Sequence, residues 1–204
     1  MTSMKDEIIK TIKQDIPIFY NHYLYAAALV HVEKNSSSLN CIQQIAPNLK
    51  NLIEASVYDS KIMVFARLYD DYQHGNQTKT ISGTLRKIQK NLSCLRMGED
   101  FNYKINEFLH RLEADEYISK AVQLLKTRRD TMLAHNDKKY FDFQSAQVEY
   151  FPNYYLWFLC EFTKEVLVYL GSAFEVELVE DDSLEYEMEL IKKYRLVEVN
   201  NALE

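Results

Sequence analysis

The side chains best suited to chemistry lie in one basic stretch, RRDTMLAHNDKKYF, at positions 128–141. Two adjacent arginines, Arg128 and Arg129, precede a single histidine, His135. A guanidinium group can hold two phosphate oxygens at once, and an imidazole exchanges protons near neutral pH. This combination predicts chemistry on a phosphate ester. The alternative interpretation is a solvated, basic helix end with no chemical role.

Helical phase separates the two arginines. At 100° per residue, the apolar stripe of the helix that carries them runs through Ile118, Val122, Leu125 and Met132. Arg129 falls on that stripe, where an aliphatic side chain is expected, so its charge needs an anionic partner. Arg128 lies seven residues before His135 and shares its face on a straight helix. Arg129 comes close to His135 only if the helix ends or bends near Ala134. If the helix stays straight through His135, Arg128 is the arginine that lies beside the histidine.

Three segments of the chain resemble the HEPN superfamily. RRDTMLAHND is similar to the R-x(4–6)-H motif of HEPN domains, in which a polar residue commonly follows the arginine, as Asp130 follows Arg129. VYDSKIMVFARLYDD (57–71) and KTISGTLRKI (79–88) resemble the abortive-infection branch of the AbiU type. In that branch a helix with an aRL-aromatic-D pattern precedes the motif helix. The resemblance covers residues 47–172 and implies an all-α, HEPN-like core.

The resemblance also implies a function: metal-independent cleavage of RNA, without a cofactor, by a homodimer whose two motifs face each other across a cleft. His135 would act as general base or acid, Arg129 would hold the scissile phosphate, and Asp130 would orient one of them. From the residues alone, Arg67 and Asp70, three apart on one helix face, could form a structural pair that supports the motif helix. The expected products carry a 2′,3′-cyclic phosphate and a 5′-hydroxyl. Flanking RNA phosphates would be bound by Arg128, Lys126, Asn136, Lys138 and Lys139.

One feature of some relatives is missing from this chain. HEPN toxins restrained by a nucleotidyltransferase antitoxin often carry a tyrosine two residues after the histidine, where this sequence has Asp137. Control by modification of a tyrosine at that position is therefore not expected. A cognate antitoxin or another partner protein stays compatible with the resemblance.

Interpretations without catalysis stay open on the residues alone. Arg129 could pair internally with Asp59 or Asp70, and His135 could simply stabilise the end of its helix. The chain would then be a catalytically silent HEPN-like module that binds a partner protein or a nucleotide. A helical scaffold with no affinity for RNA is a further alternative.

Length and composition bound the fold that must position these residues. With 204 residues but only four Gly and three Pro, the chain suits one helical domain over residues 1–204, since β folds need many turn residues. Its three cysteines are far apart and have no zinc-binding spacing. The charged start lacks an apolar signal segment, and the apolar run at 23–32 is too short for a bilayer. We therefore expect a cytoplasmic protein with no membrane partner.

Charge is spread unevenly along the chain. The net charge is −6, yet residues 120–139 carry six bases and two acids, whereas residues 175–189 carry eight acids and no base. A local positive patch on an acidic protein fits the capture of a phosphate chain at one place.

Apolar periodicity predicts a bundle of seven or eight helices. Residues 1–34 are interpreted as two N-terminal helices divided at Pro17, because proline suits the first turn of a helix. Further helices are predicted to begin near Pro47, Ile81, Phe101 and Asp115. Pro152 opens a strongly apolar helix that Gly171 is expected to end, and a last helix spans residues 183–196.

Overall fold

A computed structural model describes residues 4–34, 47–69, 79–133 and 152–179. Within these ranges the chain forms seven α-helices and no β-strand. In chain order they are α1 (Met4–Lys34), α2 (Pro47–Tyr69), α3 (Ile81–Lys90), α4 (Leu92–Leu95), α5 (Glu99–Ala114), α6 (Glu116–Leu133) and α7 (Asn153–Ala173). The predicted all-α bundle is confirmed. The helix predicted at 183–196 lies outside the described residues.

The first helix, α1, is continuous over 31 residues, although Pro17 lies inside it. The predicted division into two helices at Pro17 is therefore wrong. Proline removes one backbone donor and crowds the carbonyl of Lys13, which costs about 3 kcal/mol. Ile16, Phe19 and Tyr20 are buried on either side of it. Burial of each such side chain contributes roughly 1.5–3 kcal/mol, so packing outweighs the local cost.

The core is built from helix faces that pack in pairs. α1 packs against α2 and α7, α6 packs against α2, α5 and α7, and α3 packs against α5. Phe108 of α5 meets Phe162 of α7 edge-on, with 6.0 Å between ring centroids and 81° between ring planes. Such a contact adds about 0.5–1.5 kcal/mol to the burial itself. α6, which carries both arginines, is thus held by three neighbouring helices.

A buried chain of hydrogen bonds joins α2 to α7. Tyr69 Oη lies 2.5 Å from Thr163 Oγ1, and Thr163 Oγ1 lies 2.5 Å from the carbonyl oxygen of Leu159. Because the threonine hydroxyl has one proton, which it donates to Leu159, the Tyr69 hydroxyl donates to Thr163. Burial raises the pKa of Tyr69 even though this hydrogen bond opposes the rise. The last residue of α2 is therefore anchored to α7 as a neutral phenol.

A charged cluster joins α5 to α7. Glu165 accepts from Arg111 Nη1 at 2.6 Å and from Lys104 Nζ at 3.0 Å. Burial opposes ionisation of this carboxyl, but the two hydrogen bonds outweigh burial and lower the pKa of Glu165. The same cations lie over aromatic rings, with Arg111 above Phe162 and Lys104 above Phe108, each at 4.8 Å from the ring centroid. Charge and ring contacts together fix α5 against α7.

Gly171 lies inside α7, which continues to Ala173, so the prediction that this glycine ends the helix is wrong. The chain folds back over it, and the Val176 amide donates to the Gly171 carbonyl at 2.8 Å. A Cβ atom on Gly171 would lie 3.0 Å from Leu178 Cδ1 and 3.2 Å from the Val176 carbonyl oxygen. The close approach of the chain, not a helix stop, requires glycine here.

Candidate functional site

Helices α2 and α6 position the two arginines. Tyr58 of α2 contacts Arg128 near the end of α6. Tyr69, the last residue of α2, lines a small cavity with Ser119 and Val122 from the first half of α6. The two helices therefore run in opposite directions along their contact. This arrangement brings residues 57–69 of the segment VYDSKIMVFARLYDD beside the helix that carries the two arginines.

Arg128 and Arg129 flank the buried stripe of α6. The stripe runs through Ile118, Ala121 and Leu125. At 100° per residue, the two arginines lie about 50° to either side of its centre. Both side chains are half-buried. The expectation that only Arg129 takes the place of an aliphatic residue is therefore wrong. The small Ala121 is fully buried and Val122 is not, so the centre of the buried stripe lies closer to Arg128 than expected.

Arg128 faces α2. Its guanidinium carbon lies 5.8 Å from the centroid of the Tyr58 ring, which is a cation–π distance. Its Nε and Nη1 atoms are shielded from solvent, yet neither has a hydrogen-bond partner among the described residues. A buried donor left unpaired costs about 1–3 kcal/mol, and more if it is charged. Two such donors on one cation form a site that an anion would complete.

Lys61 is a second buried cation at the same ring. Its side chain is 0 % exposed, and its Nζ lies 5.6 Å from the Tyr58 centroid. Lys61 also interacts with a further group of the protein. Two cations at one ring raise the local positive potential, which favours an anion beside them. Lys61 was not among the residues predicted from sequence, although its spacing to Phe65 and Leu68 in KIMVFARL places it on the buried face of α2.

The other predicted cations have different surroundings. Arg129 is half-buried and already interacts with another group of the protein, as does Lys126. Lys126 and Tyr69 line a cavity of about 210 Å³ between α2, α3, α5 and α6. Arg67 is exposed on α2 and has no side-chain partner within the described part of the chain. Its predicted supporting role therefore gains no contact from the bundle as described.

Several predicted site residues lie outside the described ranges: Asp70, His135, Asn136, Lys138 and Lys139. Asp130 belongs to α6, but the position of its side chain is likewise outside what the structure describes. The approach of an arginine to His135 and an internal pair between Arg129 and Asp70 therefore stay predictions. What the structure does bring together is Arg128, Lys61 and Tyr58.

The described ranges also bear on metal sites and membrane-spanning helices. Within them, no group of three or more His, Cys, Asp or Glu side chains is placed to hold a metal ion. In the same part of the chain, no helix has both the length and the apolar character needed to cross a membrane.

A family model matches almost the whole chain. The HEPN model described as AbiU2 matches residues 4–194. No curated protein and no solved structure matches the chain. The matched range includes the seven described helices and the basic stretch at 128–141, so it is wider than residues 47–172, which the motifs had indicated.

Proposed function

The chain belongs to the AbiU2 family of HEPN domains, and from this membership and the site around Arg128 we propose that it is an endoribonuclease. It cleaves RNA without a metal ion, as a homodimer whose two basic motifs form one composite site. Its biological role is that of a toxin or a phage-defence effector in abortive infection. A cognate antitoxin or another partner protein would restrain such an activity.

One observation carries the proposal: the Nε and Nη1 atoms of Arg128 are buried and have no hydrogen-bond acceptor among the described residues. Unpaired buried donors are rare in proteins, and a bound ligand is one way to satisfy them. A phosphodiester offers two oxygens that match the fork of a guanidinium group. Lys61 adds a second positive charge at the same Tyr58 ring. The chemistry favours an anion, and the family suggests RNA as its class.

The reaction needs a proton acceptor, a proton donor and compensation of charge on the phosphate. His135 takes the proton of the 2′-hydroxyl, whose oxygen attacks the adjacent phosphorus as the bond to the 5′-oxygen breaks. The leaving 5′-oxygen receives a proton from His135 of the partner subunit. An arginine neutralises the charge that grows on the non-bridging oxygens, and Asp130 orients the reacting groups. The products carry a 2′,3′-cyclic phosphate and a 5′-hydroxyl.

Arg128 is the stronger candidate for the scissile phosphate, which reverses the roles expected from sequence. α6 stays helical through Leu133, and on a continuing helix Arg128 shares a face with His135. Arg129 already has a partner and lies on the other side of the buried stripe with Lys126. These two residues are then assigned to flanking phosphates, a role also proposed for Asn136, Lys138 and Lys139.

A catalytically silent binding module is the second candidate. The interaction of Arg129 with another group of the protein favours it, because an arginine held internally is less available to a phosphate. In this case the family fold would bind a partner protein or a nucleotide and would cut nothing.

A cleavage assay in EDTA separates the two candidates. Total RNA is incubated with wild type, Arg128→Ala, His135→Ala, and the matched control His110→Ala, which changes an exposed histidine of α5. We expect cleavage by wild type and the control, and a loss of at least about 100-fold in the other two variants. Circular dichroism checks that each variant is folded. The proposal fails if wild type cuts no RNA, or if His135→Ala cuts as fast as wild type.

A further inference from the structure

A basic cleft lies between α1 and α3. It encloses about 480 Å³, a volume within the range of about 300–1,000 Å³ that ligand sites occupy. Four cationic side chains line it, Lys79, Arg86, Lys87 and Lys90, against one carboxylate, Asp15. The formal charge of the lining is therefore +3 on a chain whose net charge is −6.

The carboxylate of Asp15 is already neutralised. Lys79 Nζ lies 2.7 Å from Asp15 Oδ1, an ion pair without good hydrogen-bond geometry. Asp15 is buried, so the pair is shielded from salt more than a surface pair would be. Lys79 and Asp15 thus form a neutral wall of the cleft, and the positive charge that a ligand meets comes from α3.

α3 presents its cations to the cleft because its apolar side is turned inward. Ile81, Leu85 and Ile88 are fully buried, at the spacing of one helical face. Arg86 approaches Glu113 only at 3.6 Å, and both side chains are at least half exposed, so this ion pair is weak. Lys87 and Lys90 have no ion-pair partner for their side chains within the described part of the chain. Three cations are therefore available to an anionic ligand.

Arg86 connects this cleft to the helix of the basic stretch. It lines both the cleft and the cavity of about 210 Å³ beside α6, which Lys126 and Glu113 also line. Arg129 follows Lys126 by three residues and Val122 by seven, so it lies on the same side of α6 as the cavity. Cations thus form a row from the end of α3, through Arg86 and Lys126, to Arg129.

We propose that this row, which we name the α3 track (Lys90, Lys87, Arg86 and Lys126), binds the sugar-phosphate backbone of the RNA strand beside its cleavage point. The proposal rests on the proposed endoribonuclease function and extends it to residues outside the motif. Contacts made by lysine charge position a strand without reading its bases. The α3 track therefore supplies affinity and directs the strand toward α6, while cleavage stays with the motif.

The continuity of the row favours a strand over a small phosphorylated ligand. A mononucleotide in the cleft between α1 and α3 would contact Lys87 and Lys90 but not Lys126, which lines the neighbouring cavity. A polyanion uses both cavities. Its binding falls steeply with salt, because each phosphate contact releases counterions.

The test uses His135→Ala protein, so that bound RNA is not cut. Binding is measured by fluorescence anisotropy with single-stranded RNA of about 4 and about 16 nucleotides, lengths that bracket known single-strand sites. The track variant adds Lys87→Gln and Lys90→Gln. The matched control adds Lys10→Gln and Lys164→Gln, which remove the same charge from exposed positions of α1 and α7.

We expect the track variant to bind the longer RNA less tightly. The slope of the logarithm of its binding constant against the logarithm of salt concentration should be about 1.4 smaller in magnitude, because two phosphate contacts to a single strand are lost. The ratio of the RNA binding constants of the His135→Ala protein and the track variant should then fall about sevenfold between about 50 and about 200 mM salt. The short RNA and the control variant should show no such change.

Three results would overturn the α3 track. The first is a track variant whose salt slope equals that of the His135→Ala protein. The second is a control variant that loses as much RNA affinity as the track variant. The third is binding of a mononucleotide by the His135→Ala protein but not by the track variant. Wild-type cleavage of the longer RNA is measured in parallel. If wild type cuts RNA and the slopes are unchanged, the track is wrong while the proposed function stands. If wild type cuts no RNA, the proposed function itself is wrong.

Discussion

Arg128 and Tyr58 meet across the contact of α6 with α2, with 5.8 Å between the guanidinium carbon and the ring centroid. The ring attracts the charge, a contribution of about 0.5–2 kcal/mol. The buried Nε and Nη1 atoms have no acceptor among the described residues, and an unpaired buried donor costs about 1–3 kcal/mol. We therefore expect Arg128 to weaken the fold of the free protein, which is typical of a residue that serves binding.

Replacing Arg128 by an apolar chain of similar length should stabilise the fold and abolish function. Arg128→Met removes two unpaired donors and loses one ring contact, so we expect the free energy of unfolding to rise by about 1 kcal/mol. Cleavage of RNA should fall by at least about 100-fold, because the phosphate loses its guanidinium. Urea unfolding and the cleavage assay measure the two effects on the same preparation.

Arg129→Met is the matched control for Arg128→Met. Arg129 already has a partner in the protein, so its removal should lower the free energy of unfolding. If Arg128→Met is the less stable of the two variants, Arg128 is a structural residue and the anion site is wrong.

Local sequence rules predicted where most helices begin but not where packing overrides them. Pro17 and Gly171 both looked like helix boundaries, yet both lie inside helices. At Pro17 the buried neighbours Ile16 and Phe19 outweigh the local cost. At Gly171 the returning chain near Leu178 requires a residue without Cβ. Both reasons depend on contacts between elements, and these contacts are not local properties of the sequence.

The candidate site was predictable in its segments and not in its geometry. The order of motifs identified the two helices that meet, α2 and α6. The positions of Arg128 and Arg129 relative to the buried stripe depend on its centre, which the small Ala121 shifts and which periodicity of large side chains did not detect. Lys61 was detectable by the same spacing argument that singled out Arg129.

The hydrogen bond between Tyr69 and Thr163 should stabilise the end of α2 measurably. Tyr69→Phe leaves one buried acceptor unpaired and should cost about 1 kcal/mol in the free energy of unfolding. Thr163→Val leaves the Tyr69 donor unpaired and should cost more. In a double-mutant cycle, the sum of the two single-variant losses in unfolding free energy should exceed the loss measured for the double variant. A coupling energy of zero would show that the 2.5 Å contact between the hydroxyls contributes nothing.

Glu165 should make stability depend on pH in the acid range. Its pKa is lowered in the folded protein from the ordinary 4.5, because the hydrogen bonds from Arg111 and Lys104 outweigh burial. The stabilisation is therefore complete above the unfolded pKa and is lost as the pH falls through the lower, folded pKa. The difference in unfolding free energy between wild type and Glu165→Gln should be positive near neutral pH and vanish in acid.

Urea unfolding from about pH 6 down to about pH 3 measures this difference across the window that the shift defines. Glu177→Gln, at an exposed position after α7, is the control for the loss of one carboxylate elsewhere on the chain. A difference between wild type and Glu165→Gln that grows in acid would contradict the direction of the shift.

A composite site should make cleavage depend on the square of protein concentration at high dilution. Each chain has one basic stretch, and the proposed reaction needs one histidine to accept a proton and another to donate one. Below the dissociation constant of the dimer, the dimer concentration falls as the square of the total, so specific activity falls on dilution. Initial rates are measured against concentration, with the mass followed by sedimentation. Excess His135→Ala protein added to dilute wild type should inhibit it through mixed dimers. Constant specific activity in a range where sedimentation shows monomers, with no inhibition by the variant, would place the whole site in one chain.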